Sequence, residues 1–408
     1  MNEPTYTTTC CIAGGGPAGM MLGFLLARAG IDVIVLEKHQ DFFRDFRGDT
    51  IHPSTFELMN ELGILDDFLK IPHQEVRKLG ARFNEQYVQM ADFSHLKVAK
   101  PVLGLMPQWD FLNFIREKAG HYKNFHLLME ARFSELIIEN EKVKGIKATT
   151  LQGTITIHAD LVIAADGRDS LVRERAGLKV LNKGVPMDVL WFKLSKREGD
   201  PDQSLGNFYY GRILIMLERT DYWQCGYVIP KGDLAVIKER GLDALTKEII
   251  EVVPFFKNRI DELKDWEQVK LLSVAINRLK KWYRDGLLCI GDAAHAMSPV
   301  GGVGINLAIQ DAVAAANILY QPLKEKRVTT AILKKVEQRR SFPTRVTQWM
   351  QINVQRTVIS RGLEKQLGKK PPLGMRLLNR WPLLQRLPAR LVGIGIRPEH
   401  IHTPDSMK

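Results

Sequence analysis

Cysteine is scarce, with four in 408 residues. Cys10 and Cys11 adjoin on an apolar run that reads as a buried strand, where successive side chains face opposite ways. Cys225 and Cys289 stand alone, so metal-ligand spacing is lacking, no metal is expected, and all four read as reduced structural thiols. Internal repeats and low-complexity segments are missing, which excludes solenoid and fibrous architectures. An early long apolar run is missing too: Met1–Thr9 is polar, and the stretch after it is broken by Gly14, Gly15, Gly16, Pro17 and Gly19. That argues against a signal peptide or a membrane span there and for a cytoplasmic location. No basic stripe interleaved with stacking aromatics occurs, so no nucleic acid partner is expected despite a formal net charge of +12.

A hydrophobic content of 45% with 25% charged residues is that of a globular protein. The length suits two interleaved domains rather than one core. Charge is unevenly placed: residues 331–408 hold 16 Lys and Arg against 4 Asp and Glu, whereas the first 330 hold 42 of each sign. The basic excess belongs to the C-terminal region.

Along the chain, 7–13 reads as a strand, 17–29 as a helix and 32–36 as a second strand, a βαβ opening with Pro17 suited to the first helical turn and Gly30 to the helix end. Further helices are expected over 53–62, 108–119 and 304–320. Residues 126–165 alternate strands and turns, ending in the apolar strand 161–165 that delivers Asp166. Between 183 and 280 longer, aromatic-bearing strands suggest an antiparallel sheet. The fold class expected is α/β: a Rossmann-like domain from 1–72, 103–182 and 281–330, an antiparallel substrate domain from 73–102 and 183–280, and a basic helical region from 331–408.

Three separated segments carry the chemistry. In Gly14-x-Gly16-x-x-Gly19 the first glycine permits a tight turn, the second lets backbone approach a pyrophosphate, and the third allows close helix–strand packing, while Pro17 and Ala18 open a helix whose N-terminus favours phosphate. Glu37, at the end of the second strand and about 20 residues on, suits adenosine ribose hydroxyls, with Lys38 beside it; alternatively it is a solvated strand-end charge. The second segment is Asp166-Gly167-Arg168-Asp169-Ser170-Leu171-Val172-Arg173, and the third is Gly291-Asp292-Ala293-Ala294-His295, followed by a glycine-rich helix start. Only one dinucleotide fingerprint is present, so whatever it holds is the resident cofactor.

These three segments, in this order, resemble those of the class A flavoprotein monooxygenases, the para-hydroxybenzoate hydroxylase-like family, over residues 7 to about 320. The resemblance implies FAD as cofactor, with Asp292 bonding the flavin ribityl chain and Asp166 and Gly167 serving FAD and nicotinamide handling. It places Arg47 and Gly48 near the flavin edge and Gln108 near the ribose or pyrophosphate. A helix starting near Gly302, Gly304, Ile305 and Asn306 aims its positive end at the flavin pyrimidine, stabilising the reduced anion by ~0.3 to 2 kcal/mol. Pro299, Val300 and Gly301 are expected next to the ring, with Val300 and Gly301 also lining the substrate pocket. Ser170 and Arg173 are expected to brace the Asp166 loop, and His295 to be structural.

The implied reaction uses NADPH or NADH as transient co-substrate and O2 to hydroxylate an electron-rich aromatic, quinone-like or polyketide molecule through a flavin hydroperoxide. No catalytic base is named; His52, Tyr209 and Tyr227 are weak candidates, and a structural histidine is the preferred reading of His52. Tyr210, Met216 and Trp223 are candidates for the pocket lining, against the plainer reading of aromatic core. Related halogenases carry WxWxIP; Cys225-Gly226-Tyr227-Val228-Ile229-Pro230 lacks both tryptophans. An isoprenoid or alkene reductase and a flavin redox sensor remain alternatives. In the tail, Arg376, Arg380, Arg386, Arg390 and Arg397 alternate with leucines, open to peripheral membrane contact or to a helical cap on the substrate domain. The chain is expected to be a monomer or homodimer.

Overall fold

The structure, a computed structural model, describes residues 3–43, 50–201, 205–219, 221–363 and 371–407. Five parallel strands form the centre of one sheet in the order Leu287–Cys289, Gly153–Ala164, Thr5–Ala13, Val33–Leu36 and Phe125–Leu128. Their near-continuous Val, Ile, Leu and Cys content follows from burial on both faces, as a parallel sheet requires. Pro17–Arg28 covers one face, and its Gly23 permits the approach: a Cβ there would lie 2.7 Å from Val35. Arg132–Glu139 and Lys142–Thr150 extend the sheet by antiparallel pairing onto the first half of Gly153–Ala164. Val300–Lys324 is long and apolar enough to cross a membrane by length and composition, but 78% of its most apolar stretch is buried in this domain as a core helix.

The second domain is a seven-stranded sheet ordered Lys270–Leu272, Met187–Ser195, Tyr222–Pro230, Arg212–Glu218, Leu205–Tyr209, Lys78–Phe83 and Gln86–Asp92. Pairing is antiparallel except where Leu205–Tyr209 runs parallel to Lys78–Phe83, the junction at which 78–92 joins the strands after 187. Residues 183–280 are not all sheet: Leu234–Glu239 and Leu242–Val252 are helices that lie against it.

Strand periodicity sorts this sheet into two faces. Leu190, Phe192, Leu194, Leu214, Met216, Trp223, Cys225, Tyr227 and Ile229 form one core with Leu245, Ile249 and Val252 of the covering helix. Their neighbours in sequence, Val189, Trp191, Ile213, Ile215, Leu217 and Val228, form the other, with Val300 and Ile359.

The C-terminal region is helical only in part. Thr330–Val354 is one long helix, and shorter helices span Leu373–Arg380 and Arg386–Gly393. Residues 396–405 have no regular structure and strap the first domain: Arg28 donates to the Thr403 and Pro404 carbonyls at 2.8 and 3.1 Å and pairs with Asp405.

Trp223 is fully buried and its indole N–H donates to Asp200 at 2.9 Å. Trp223→Ala is therefore expected to lower the unfolding free energy by about 3 to 5 kcal/mol, read from denaturant midpoints. An unchanged midpoint would contradict its place in the core.

Candidate functional site

The parallel register sets the site. Ala13 lies opposite Leu36 on one side and Ala164 on the other, and Ala164 opposite Cys289. The residues that follow each strand, Gly14, Glu37, Asp166 and Gly291, therefore emerge along one edge, the carboxyl ends where open α/β sheets bind ligands.

The three motif glycines differ in what surrounds them. Gly14 has φ +114°, and a Cβ there would meet the Ala165 carbonyl at 2.3 Å and Asp166 Cα at 2.8 Å. At Gly19 a Cβ would fall 1.9 Å from the Gly14 carbonyl. At Gly16 it would meet nothing within 4 Å. Gly14 and Gly19 are thus demanded by the protein's own packing, whereas the open side of Gly16 leaves room for an incoming group. Gly16 caps the Pro17–Arg28 helix with no side-chain hydrogen bond, so its first-turn N–H groups face a site suited to an anion. These features fit an FAD pyrophosphate. Glu37 closes the loop from below, accepting from Gly15 N–H at 3.2 Å and His39 N–H at 3.1 Å. Lys38 is exposed beside it.

The second motif braces itself. Asp166 accepts from Ser170 Oγ at 2.5 Å and Val172 N–H at 3.1 Å, and Ser170 in turn accepts from Arg173 N–H. Burial pushes the Asp166 carboxyl above the usual carboxylate range, against the opposing pull of these hydrogen bonds. Arg173 reaches the Ala293 carbonyl at 3.1 Å, and Arg168 lies 4.0 Å from Asp292, so the second and third motifs touch directly. Gly167 adopts φ +92°. Gln108 opens the Gln108–Ala119 helix, half-buried. Arg47 and Gly48 lie outside the described residues.

The third motif is anchored by a residue that the sequence reading passed over. Asp311 is completely buried in the Gly304–Lys324 helix; it accepts from Gly291 N–H at 3.0 Å, meets His295 Nε2 at 2.5 Å and accepts from Arg340 Nε at 2.9 Å. Burial pushes its carboxyl upward, but His295 and Arg340 outweigh this and hold it below the usual range. Arg340 also meets Glu399. The available signal was a lone carboxylate inside the apolar run Ile305–Leu319. Asp292 itself points outward, its side chain 34% exposed. Gly301 and Gly302 kink the chain with φ +80° and +61° before the helix, and Pro299 and Val300 precede them. Ile305 is buried, and the Asn306 side chain accepts from Ser54 and Thr55, tying the helix start to Pro53–Glu61.

Three further glutamines complete the support. Gln348, Gln351 and Gln355, one face of the long C-terminal helix and its continuation, are buried. Gln348 donates to the Asn277 and Ala296 carbonyls, Gln351 to those of Ser298 and Val300, and Gln355 to Ser298 Oγ. Ala296 also accepts from the Asn277 backbone N–H at 3.3 Å, and these amides supply further partners to the irregular chain from 296 to 300.

The structure corrects the expected pocket. Met216, Trp223 and Tyr227 face the covering helices, and Tyr209 packs on the same core. The Tyr227 hydroxyl donates to Glu248 at 2.6 Å and burial drives its pKa well up, so it is not poised as a base. Tyr210 sits half-exposed with φ 39° in the turn before Arg212–Glu218. Aromatic content selected these residues, but strand alternation puts Trp191, Ile213, Ile215 and Val228 on the opposite side, where Val300 packs against them. The Trp191 ring lies over Gly226, where a Cβ would approach it to 3.1 Å.

His52 is fully buried, its Nδ1 2.7 Å from the Val392 carbonyl and its Nε2 3.0 Å from that of Gly302. It joins the glycine kink to the C-terminal region. A neutral ring donates to only one of the two carbonyls.

Residues 7–350 match the family model described as the FAD binding domain. The chain is 31% identical over 361 residues to 6-methylpretetramide 4-monooxygenase of Streptomyces rimosus, covering 87% of this chain and 85% of that protein. It is 24% identical over 337 residues to para-nitrophenol 4-monooxygenase of Pseudomonas sp. (strain WBC-3), covering 79% and 80%. The solved anhydrotetracycline hydroxylase from Streptomyces rimosus shares the fold with a TM-score of 0.76 at 20% identity, over 96% of this chain and 76% of that one.

Gly14→Val is expected to abolish flavin retention, read as loss of yellow absorbance per mole of protein, because the added side chain meets backbone that cannot yield. Burial lowers the His52 pKa from 6.5 against the two carbonyls that raise it. A depressed histidine contributes stability above its ordinary pKa that is lost as pH falls through the lowered one. Tm should therefore fall with acidification below 6.5, and less steeply in His52→Asn; parallel profiles for the two proteins would refute this.

Proposed function

This chain belongs to the class A flavoprotein monooxygenases, an FAD-binding family of oxidoreductases, and from that premise we propose that it hydroxylates an electron-rich polycyclic phenol or polyketide, with NADPH or NADH as electron donor and O2 as oxygen source. The observation that carries this reading is the meeting of three separated motifs along one sheet edge, beside a sheet face where Val189, Trp191, Ile213, Ile215 and Val228 form an apolar patch with Val300. Bound FAD supplies the two-electron chemistry with oxygen, and the chain's own residues hold, orient and dry the site.

The open side of Gly16 and the uncapped helix after it receive the pyrophosphate, and Glu37 stands where adenosine ribose hydroxyls would reach it. Asp292 accepts from the ribityl chain. The first turn of Gly304–Lys324, also without a side-chain cap, presents N–H groups and a positive helix end to the flavin pyrimidine. The face made by Trp191, Ile213, Ile215 and Val228 excludes water and takes a flat hydrophobic substrate against Val300. Oxygen transfer to an activated ring needs no protein nucleophile. The relatives that act on 6-methylpretetramide and para-nitrophenol, by their names, favour a phenolic or polyketide substrate over an alkene.

The test is NAD(P)H and oxygen consumption by purified flavin-loaded protein across a panel of polycyclic phenols, quinones and isoprenoids, with mass analysis under isotopically labelled oxygen. A phenol should stimulate consumption and gain one labelled oxygen. Anaerobic reduction of an alkene would make the protein a reductase, and an absence of substrate-stimulated turnover would favour a redox sensor.

A further inference from the structure

Residues 371–398 contain five arginines and no acidic residue. They fold as two short helices, Leu373–Arg380 and Arg386–Gly393, joined by a tight turn over Pro382–Gln385. An amphipathic helix on a globular protein ordinarily turns its leucines inward. Here the inward contacts are made by other residues. Gln385 is buried and bonded to Gln89 and the Leu378 carbonyl, and Asn379 accepts from Gln89 N–H. Ala389 is fully buried among Ala91, Phe93 and Leu103, and Gly393 abuts Leu96, Phe93 and Pro53. Met375 packs with Phe83 and Val88.

The large apolar side chains are left outside. Leu373 is 68% exposed, Trp381 53%, Leu383 70% and Leu387 64%, with Leu377 and Leu384 also in solvent. Arg376, Arg380, Arg386 and Arg390 are exposed between them. The segment is therefore fastened by its small and polar residues and offers leucine, tryptophan and arginine outward.

We propose that residues 373–390 are a docking surface for an anionic lipid bilayer. The chemistry selects this partner: leucines and an interfacial tryptophan enter the headgroup boundary, while arginines on flexible stems reach lipid phosphates, and no carboxylate opposes them. The surface also sits beside the proposed catalytic site. Val392 packs with Met297, Val303 and Leu307, and its carbonyl meets His52, which meets Gly302. A bilayer bound here would lie close to the glycine kink before Gly304–Lys324.

The readout is binding, so the proposal stands or falls separately from the monooxygenase reading. Full-length flavin-loaded protein is floated with vesicles of phosphatidylcholine alone or mixed with phosphatidylglycerol. Co-flotation is expected with the anionic vesicles and is expected to weaken as salt rises. Arg380→Gln and Arg386→Gln should each reduce partitioning about fivefold, and Leu383→Glu with Leu387→Glu should abolish it, with flavin content and Tm unchanged. Absence of co-flotation at low salt overturns the proposal, as does binding that survives the leucine pair, whether or not Trp349→Gln on the other exposed helix removes it. A dimer in light scattering that the leucine pair breaks, without vesicle binding, assigns the surface to a second copy and overturns it equally.

Discussion

A buried carboxylate holds the site together. Asp311, with no solvent exposure, receives the Gly291 N–H, the His295 ring and the Arg340 guanidinium, and Arg340 passes the contact to Glu399. Removing such charges from water costs several kcal/mol each, which the contacts on Asp311 offset, while His295 Nδ1 is buried without a hydrogen-bond partner. The network therefore binds three stretches distant in the chain: the turn after Leu287–Cys289, the helix Gly304–Lys324 and the C-terminal region. Once Gly291 is pinned to this helix, the strand before it lies in the sheet beside Gly153–Ala164, and Asp292 is carried to the edge shared with Gly14 and Asp166.

The C-terminal region reaches both domains: Arg340 meets Asp311 in the first, and Met375 and Ala389 pack on strands 78–92 of the second. Its charge serves the structure as well, since Arg340 of the long helix is buried against Asp311 and Glu399. Gln348, Gln351 and Gln355 recur at helical spacing on the inner face and bond to the irregular stretch 296–300. The strap of residues 396–405 repeats the device with charge, through Arg28 and Asp405.

Much of the nucleotide-binding half was legible because its requirements are local. A tight turn, a helix start and a strand end each demand particular residue types within a few positions, so Gly14, Gly19 and Ser170 declare themselves. The substrate half was less legible. Tyr209, Met216, Trp223 and Tyr227 do lie on strands of the expected sheet, but which alternate set is covered depends on where Leu242–Val252 packs. Asp311 carried a signal in sequence, a charge within an apolar helix, without any sign of its partners.

By itself the sequence determined the cofactor-binding half of the fold, the order of its motifs and the placing of positive charge near the C-terminus, since each depends on short-range backbone sterics and residue type. Only the tertiary structure decided which face of the antiparallel sheet packs on the helices, which buried charges pair with Asp311, and that Leu373, Leu377, Leu383, Leu384 and Leu387 turn outward. Those outcomes depend on which surfaces meet across hundreds of residues, and strand and helix periodicity state that a face exists without stating what covers it.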